Sequence, residues 1–219
     1  ELDYRSSHWC FYVRNGLRSG RNHVHNIRRH MSTNALVAYT RSDGSIVSSY
    51  VHYDGYVTGV GETLLEHYND EKSALGVSVG GYYSSLSEDL DASLNNSVHN
   101  EEPEMFDSFN EFRDYVEENS HLEFCYLWLD GRWIFSSWTS TTTGIGRYAE
   151  WHTSFNGFAE LIPAYVREGW KLINRYRDIA LEDNRDTAEY AELAYDLEER
   201  VTRWNEIGVS NVAREYMAA

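Results

Sequence analysis

Tyr50, His52 and Asp54 set a phenol, an imidazole and a carboxylate at alternate positions, so an extended segment carries all three on one face. A few residues on, Gly59, Gly61 and Glu62 form a glycine-dense entry into an amphipathic run whose Leu64, Leu65 and Tyr68 recur at helical spacing. A helix entered in this way offers free N–H groups to an anion. Tyr50, His52, Asp54, Gly59, Gly61 and Glu62 are therefore the candidate ligand site, suited to a phosphate or carboxylate. The counter-reading is a tight strand-to-helix connection stabilised by Asp54 and Glu62, and it ranks first. Gly59-Val60-Gly61 lacks both the third glycine of a dinucleotide fingerprint and the Gly-Lys-Ser/Thr of a P-loop. Glu62 also fills the place that an anion would take.

Two other chemistries fare worse. His52, Asp54 and His67, with Glu62 or Glu66, supply metal-ligand types, but their spacing is not the i, i+4 pairing that puts two ligands on one helical face, and a structural His52 is the better reading. Ser and His are plentiful, yet no Gly-x-Ser-x-Gly elbow frames a nucleophile. The sequence assigns no catalytic residue, no metal and no cofactor, and it leans away from an enzyme. A separate candidate is the acidic series Glu189, Glu192, Asp196 and Glu199, whose steps of three, four and three fall on one face of a helix. The helical rise spaces these carboxylates roughly 4.5 to 6 Å apart, near the spacing of phosphates along a nucleic-acid strand. Arg200 and Arg203 follow Asp196 and Glu199 by four residues, within reach to neutralise them as surface pairs.

The stretch His52-x-Asp54-Gly55-Tyr56-x-x-Gly59-Val60-Gly61-x-x-Leu64-Leu65-x-His67-Tyr68 resembles a family of small uncharacterised proteins of bacteriophages and prophages. Those chains open with a short hairpin, pass through this motif and end in an aromatic hairpin, here marked by Asp130-Gly131-Arg132-Trp133. The resemblance spans residues 31 to 138. After the first helix the family continues into a Gly-Asp-x-Ser-Ser-Leu type of turn, where this chain has Gly76 to Leu86 with a different spacing. What the resemblance implies is a phage setting; it transfers no catalytic residue.

Charge is distributed unevenly. The formal net charge is −16, but residues 1 to 30 hold six Arg against Glu1 and Asp3, and residues 31 to 219 then hold 13 basic and 33 acidic residues. Residues 88 to 123 alone carry twelve carboxylates and one Arg, a composition that reads as a solvated loop and helix face. A body this acidic repels nucleic acid and membrane surfaces and attracts basic partners at a salt-dependent rate. Cys10 and Cys125 lie far apart with no Cys-x-x-Cys partner, which argues against a zinc site or a disulfide framework. With neither a membrane-length apolar run nor a leader in the sequence, a soluble protein of the host cytoplasm is expected.

The elements that must position these residues read in order. Residues 1 to 30 form a basic N-terminal extension ahead of Met31, which looks like an initiator. The extension is an upstream addition outside the native protein, a basic arm gripping the acidic body or a partner, or an RNA-contacting arm. His23 and His25 alternate within it without a third metal ligand. An α+β domain is expected over 31–150, with a helical C-terminal region packed on it over 151–219. Its hairpins are 35–40 with 45–53, turning at Ser42-Asp43-Gly44, and 122–129 with 132–138, turning at Asp130-Gly131. The second register pairs Trp128 with Trp133 and Tyr126 with Phe135. Helices are expected over 60–68, 72–75 and, behind the capping box Ser108-x-x-Glu111, 109–119. Residues 139–148 read as a Ser/Thr/Gly loop. A helical hairpin follows, 158–181 and then a helix capped at Asp186 and stopped by Gly208. The fold expected is an antiparallel sheet built from two β-hairpins with helices on one face, followed by that C-terminal hairpin.

These readings favour an accessory phage protein that works by protein–protein interaction with a host or virion protein bearing a basic surface. The acidic body itself contacts neither nucleic acid nor membrane. The alternatives are an acidic nucleic-acid mimic that inhibits a host defence or DNA-binding protein, and a small-ligand-binding protein or enzyme with its site at Tyr50 to Gly61.

Overall fold

The computed structural model describes residues 33–97, 101–119, 121–143, 150–181 and 187–218. The chain divides into two units, Glu1–His30 and Met31–Ala219, and every described residue lies in the second. The basic extension with its Cys10, His23 and His25, the start at Met31 and the cap at Asp186 lie outside the described residues. In chain order come β1 (Ala35–Thr40), β2 (Ile46–Val51), a π-helical turn (Val57–Gly61), α1 (Glu62–His67), α2 (Glu71–Ser78), β3 (Tyr82–Tyr83) and α3 (Leu90–Asn95). There follow β4 (Glu104–Phe106), α4 (Phe109–Glu118), β5 (Phe124–Leu129), β6 (Arg132–Thr143), β7 (Glu150–Phe155), β8 (Ala159–Glu160), α5 (Leu161–Leu181) and α6 (Thr187–Ala218).

The sheet is mixed, which corrects the expectation of an antiparallel sheet made of two hairpins. Both hairpins are present, but β1 pairs with β5 in parallel, from Ala35 opposite Phe124 to Tyr39 opposite Trp128. β2 also pairs with β3 in parallel. The order is β3-β2-β1-β5-β6-β7, with β4 on β2 and β8 on β6. The physical cause is the long connection from β2 to β5, which carries α1 to α4 and leaves room for the crossover that parallel strands require. The composition of β1 and β5 carried the signal. Ala35 to Ala38 and Cys125 to Trp128 are buried without alternation, as strands covered on both faces must be.

Helices cover both faces, a second correction. Val37, Val47, Tyr126 and Trp128 point to one side, where Leu64, Leu65, Leu161, Tyr165, Leu197 and Val201 of α1, α5 and α6 meet them. Leu36, Ala38, Ile46, Cys125 and Leu127 point to the other, against Phe112 and Val116 of α4. The α4 start follows its sequence closely. The Glu111 N–H donates to Ser108 Oγ at 3.3 Å, and the Glu111 carboxylate accepts from the Asp107 N–H at 2.7 Å.

Three local expectations change. Residues 139–143 continue β6 instead of looping, and pair with β7 from Thr139 opposite Ser154 to Thr143 opposite Glu150; β-branched threonines suit a strand. Residues 87–103, where the pattern dissolves into Glu, Asp, Asn and Ser and predicts no regular element, contain α3, capped by the Asp89 side chain on the N–H groups of Asp91 and Ala92. Gly208 does not stop α6, which runs on to Ala218. A Cβ at Gly208 would lie 3.0 Å from Ile162 Cγ2, so the residue is small because α5 starts beside it. Among the described residues no helix is long and apolar enough to cross a membrane.

Candidate functional site

Tyr50 and His52 do what their spacing implies. They lie on one side of the chain at the end of β2, His52 one residue past it, with Tyr50 Oη 3.5 Å from His52 Nδ1, and both rings meet Tyr82 from β3, at centroid distances of 5.6 and 6.4 Å. Tyr53 abuts His52 edge-on at 4.4 Å. Burial, followed by the charges of Tyr82, Glu101 and Glu123, pushes the Tyr50 phenol up to about 12. This cluster lies on the α4 side of the sheet, where Tyr50 packs against the smaller core.

The glycine corner lies on the opposite side. Asp54 has φ 60, which breaks the extended alternation and separates its carboxylate from Tyr50 and His52. Its carbonyl accepts the Val60 N–H at 2.8 Å, and Tyr56 O takes the N–H groups of Gly59 and Gly61 at 2.9 and 3.4 Å. The donors an anion would need are spent inside the turn. The packing around the glycines is close. A Cβ on Gly59 would stand 2.3 Å from Asp54 O, and one on Gly61 would touch Tyr126 and Leu161 at 3.3 Å. Tyr126 Oη donates to Gly55 O at 2.8 Å and ties the corner to β5.

Glu62 leads to a constellation that single-sequence reading did not assemble. Glu62 and Glu66 lie four apart on α1, and Arg200 and Arg203 three apart on α6, so each pair shares a helical face. Arg200 Nε donates to Glu62, while Arg203 and the Trp204 indole N–H both donate to Glu66. The Glu62 and Glu66 side chains are each only 17% exposed. The guanidinium of Arg200 titrates above its ordinary range; burial works against this, and the charge and hydrogen bond of Glu62 outweigh it. Tyr165 is fully buried with its phenol beside this pair, and burial first, then the Glu62 charge, drive it up. The Arg200 guanidinium acts on that phenol as a neighbouring charge, since among the described residues the hydroxyl meets no partner in hydrogen-bond geometry. Gly59, Glu62, Glu66, Arg200 and Arg203, with Thr58, Thr63 and His67, border an open cleft of about 520 Å³. Of the six ligand-site candidates, then, Gly59 and Glu62 reach a cleft, Tyr50 and His52 join an aromatic cluster elsewhere, Gly61 is packed over, and Asp54 closes the turn.

Arg200 and Arg203, within reach of Asp196 and Glu199 by spacing, pair with Glu62 and Glu66 instead. Both arginines turn toward α1, drawn by half-buried carboxylates that need a counter-charge more than exposed ones do. Glu189, Glu192, Asp196 and Glu199 are all exposed, and among the described residues none has an ion-pair partner. They point away from the core stripe of Ala194, Leu197, Val201 and Trp204. No three of His, Cys, Asp and Glu gather as a metal site among the described residues. No family model, no curated protein and no solved structure matches the chain.

Proposed function

We propose that the protein acts by protein–protein interaction, presenting the acidic face of α6 to a basic surface on its partner. The observation that carries the reading is the diversion of Arg200 and Arg203 to Glu62 and Glu66, which leaves Glu189, Glu192, Asp196 and Glu199 exposed as one uncompensated row. Such a row raises encounter rates with a positive surface and makes them fall with salt. A phage-encoded accessory role, with a host or virion protein as partner in the host cytoplasm, rests on the resemblance of the His52 to Tyr68 motif alone. The spacing of the row favours a second reading, occupation of a host protein's DNA-binding groove in place of phosphates.

The test is capture from host lysate at low salt by the intact chain and by the triple variant Glu192→Gln, Asp196→Asn, Glu199→Gln. The expected result is a basic protein retained by the former, lost from the latter and released by added salt. Recovery of no specific partner, or equal recovery by both, overturns the reading. Displacement of the partner by duplex DNA selects the mimic.

A further inference from the structure

A larger cleft, of about 830 Å³, lies under the turn between β5 and β6. It exists because α6 runs on past the start of α5: Gly208 reaches Ile162, at the first turn of α5, and the chain continues as helix to Ala218. Ile207 remains 36% exposed and Val209 64%, facing the same space as Leu65, Trp133, Ile162 and Val166. The indole N–H of Trp133 is committed to Tyr68 O at 3.0 Å, so the ring offers the cleft only carbon.

The polar part of the lining is specific in kind. Asn69, Asn205 and Asn211 all border the cleft, and none of their carboxamides has a hydrogen-bond partner among the described residues. A carboxamide offers donors and an acceptor side by side and matches a group that does the same. The charges set a further limit. Arg132 is held by Glu160 at 2.7 Å, and Asp130 adds a negative charge without an ion-pair partner among the described residues, in a molecule of net charge −16. Phosphates and carboxylates are disfavoured there. The volume lies within the roughly 300–1,000 Å³ of small-molecule sites.

We propose that this cleft is a binding site for an uncharged small molecule that joins an apolar body to an amide-type edge, with the apolar body against Trp133, Ile162 and Val209 and the edge on the asparagines. The site is independent of the acidic face of α6, and its test needs no partner protein. The probe is acetyl-leucyl-leucine amide, titrated into the purified full chain and followed by amide NMR shifts. Saturable shifts at the lining residues are expected, weakened about tenfold or more by Val209→Lys, which puts a charge at an exposed position, and by Asn205→Leu. The same dipeptide with a free carboxylate should bind about tenfold more weakly. Absence of saturation up to the solubility of the probe, unchanged affinity in both variants, or equal binding of the carboxylate form overturns the proposal.

Discussion

Glu66 accepts from two donors at once, the Arg203 guanidinium and the Trp204 indole, and Trp204 is almost wholly buried. Glu66→Ala should therefore cost about 1–3 kcal/mol, the penalty of a buried donor left unmet, as read by denaturant unfolding. Glu66→Gln should cost less because an amide oxygen still faces the indole. Glu168 also holds two cations, Arg167 and Lys171, but both of those side chains are more than 60% exposed, and Glu168→Gln should change stability by less than about 1 kcal/mol. The tyrosines predict an alkaline limit. Burial first, then neighbouring acidic groups (Tyr82 and carboxylates at Tyr50, carboxylates at Tyr68 and Tyr115), pushes Tyr50, Tyr68 and Tyr115 from 10.0 up to about 12. The folded state binds these protons more tightly than the unfolded state, so their stabilising contribution is complete below pH 10 and is lost as pH rises toward 12. Phenolate absorbance should rise together with unfolding across that window; full ionisation of all three near pH 10 with the fold intact would contradict it.

At the scale of elements, α5 and α6 cross in close contact. A Cβ on Gly169 would fall 2.4 Å from Val201 Cγ2. Gly169→Ala should destabilise by roughly 1–3 kcal/mol through overpacking, and Val201→Ala in the same chain should recover part of that loss. A double-mutant cycle with no coupling would show that the helices do not pack there. The sequence foretold some elements well. The register of β5 and β6 stands as read, with Trp128 and Trp133 edge to face at 5.4 Å and both buried, and the turn has the positive φ values that Asp130-Gly131 supplies. It foretold others poorly. Gly208 looked like a helix stop because glycine disfavours helix; its role is to let Ile162 approach, and nothing local encodes that.

For the whole molecule, charge governs the expected behaviour. The triple variant Glu192→Gln, Asp196→Asn, Glu199→Gln removes like charges set three and four apart, each such pair costing about 0.2–0.5 kcal/mol. Thermal unfolding should show it at least as stable as the parent while partner capture fails, so that a loss of binding is not a loss of fold. A marked fall in its melting temperature would mean that the row serves the fold.

The sequence by itself determined the short-range facts: the two hairpins and their turns, the α4 cap, the helical face on which the four acidic residues lie, and the polar side at the end of β2 carrying Tyr50 and His52. Each depends on neighbours within a turn or a strand pair, where periodicity and φ preference act directly. Only the tertiary structure decided that β1 and β5 run parallel, that helices cover both sides of the sheet, and that Asp54 leaves the Tyr50 face. It also decided that Arg200 and Arg203 reach back across the chain to Glu62 and Glu66. An exposed carboxylate four residues away competes weakly for a guanidinium against a half-buried one brought up by helix packing, and that competition is settled by burial, which sequence spacing does not carry.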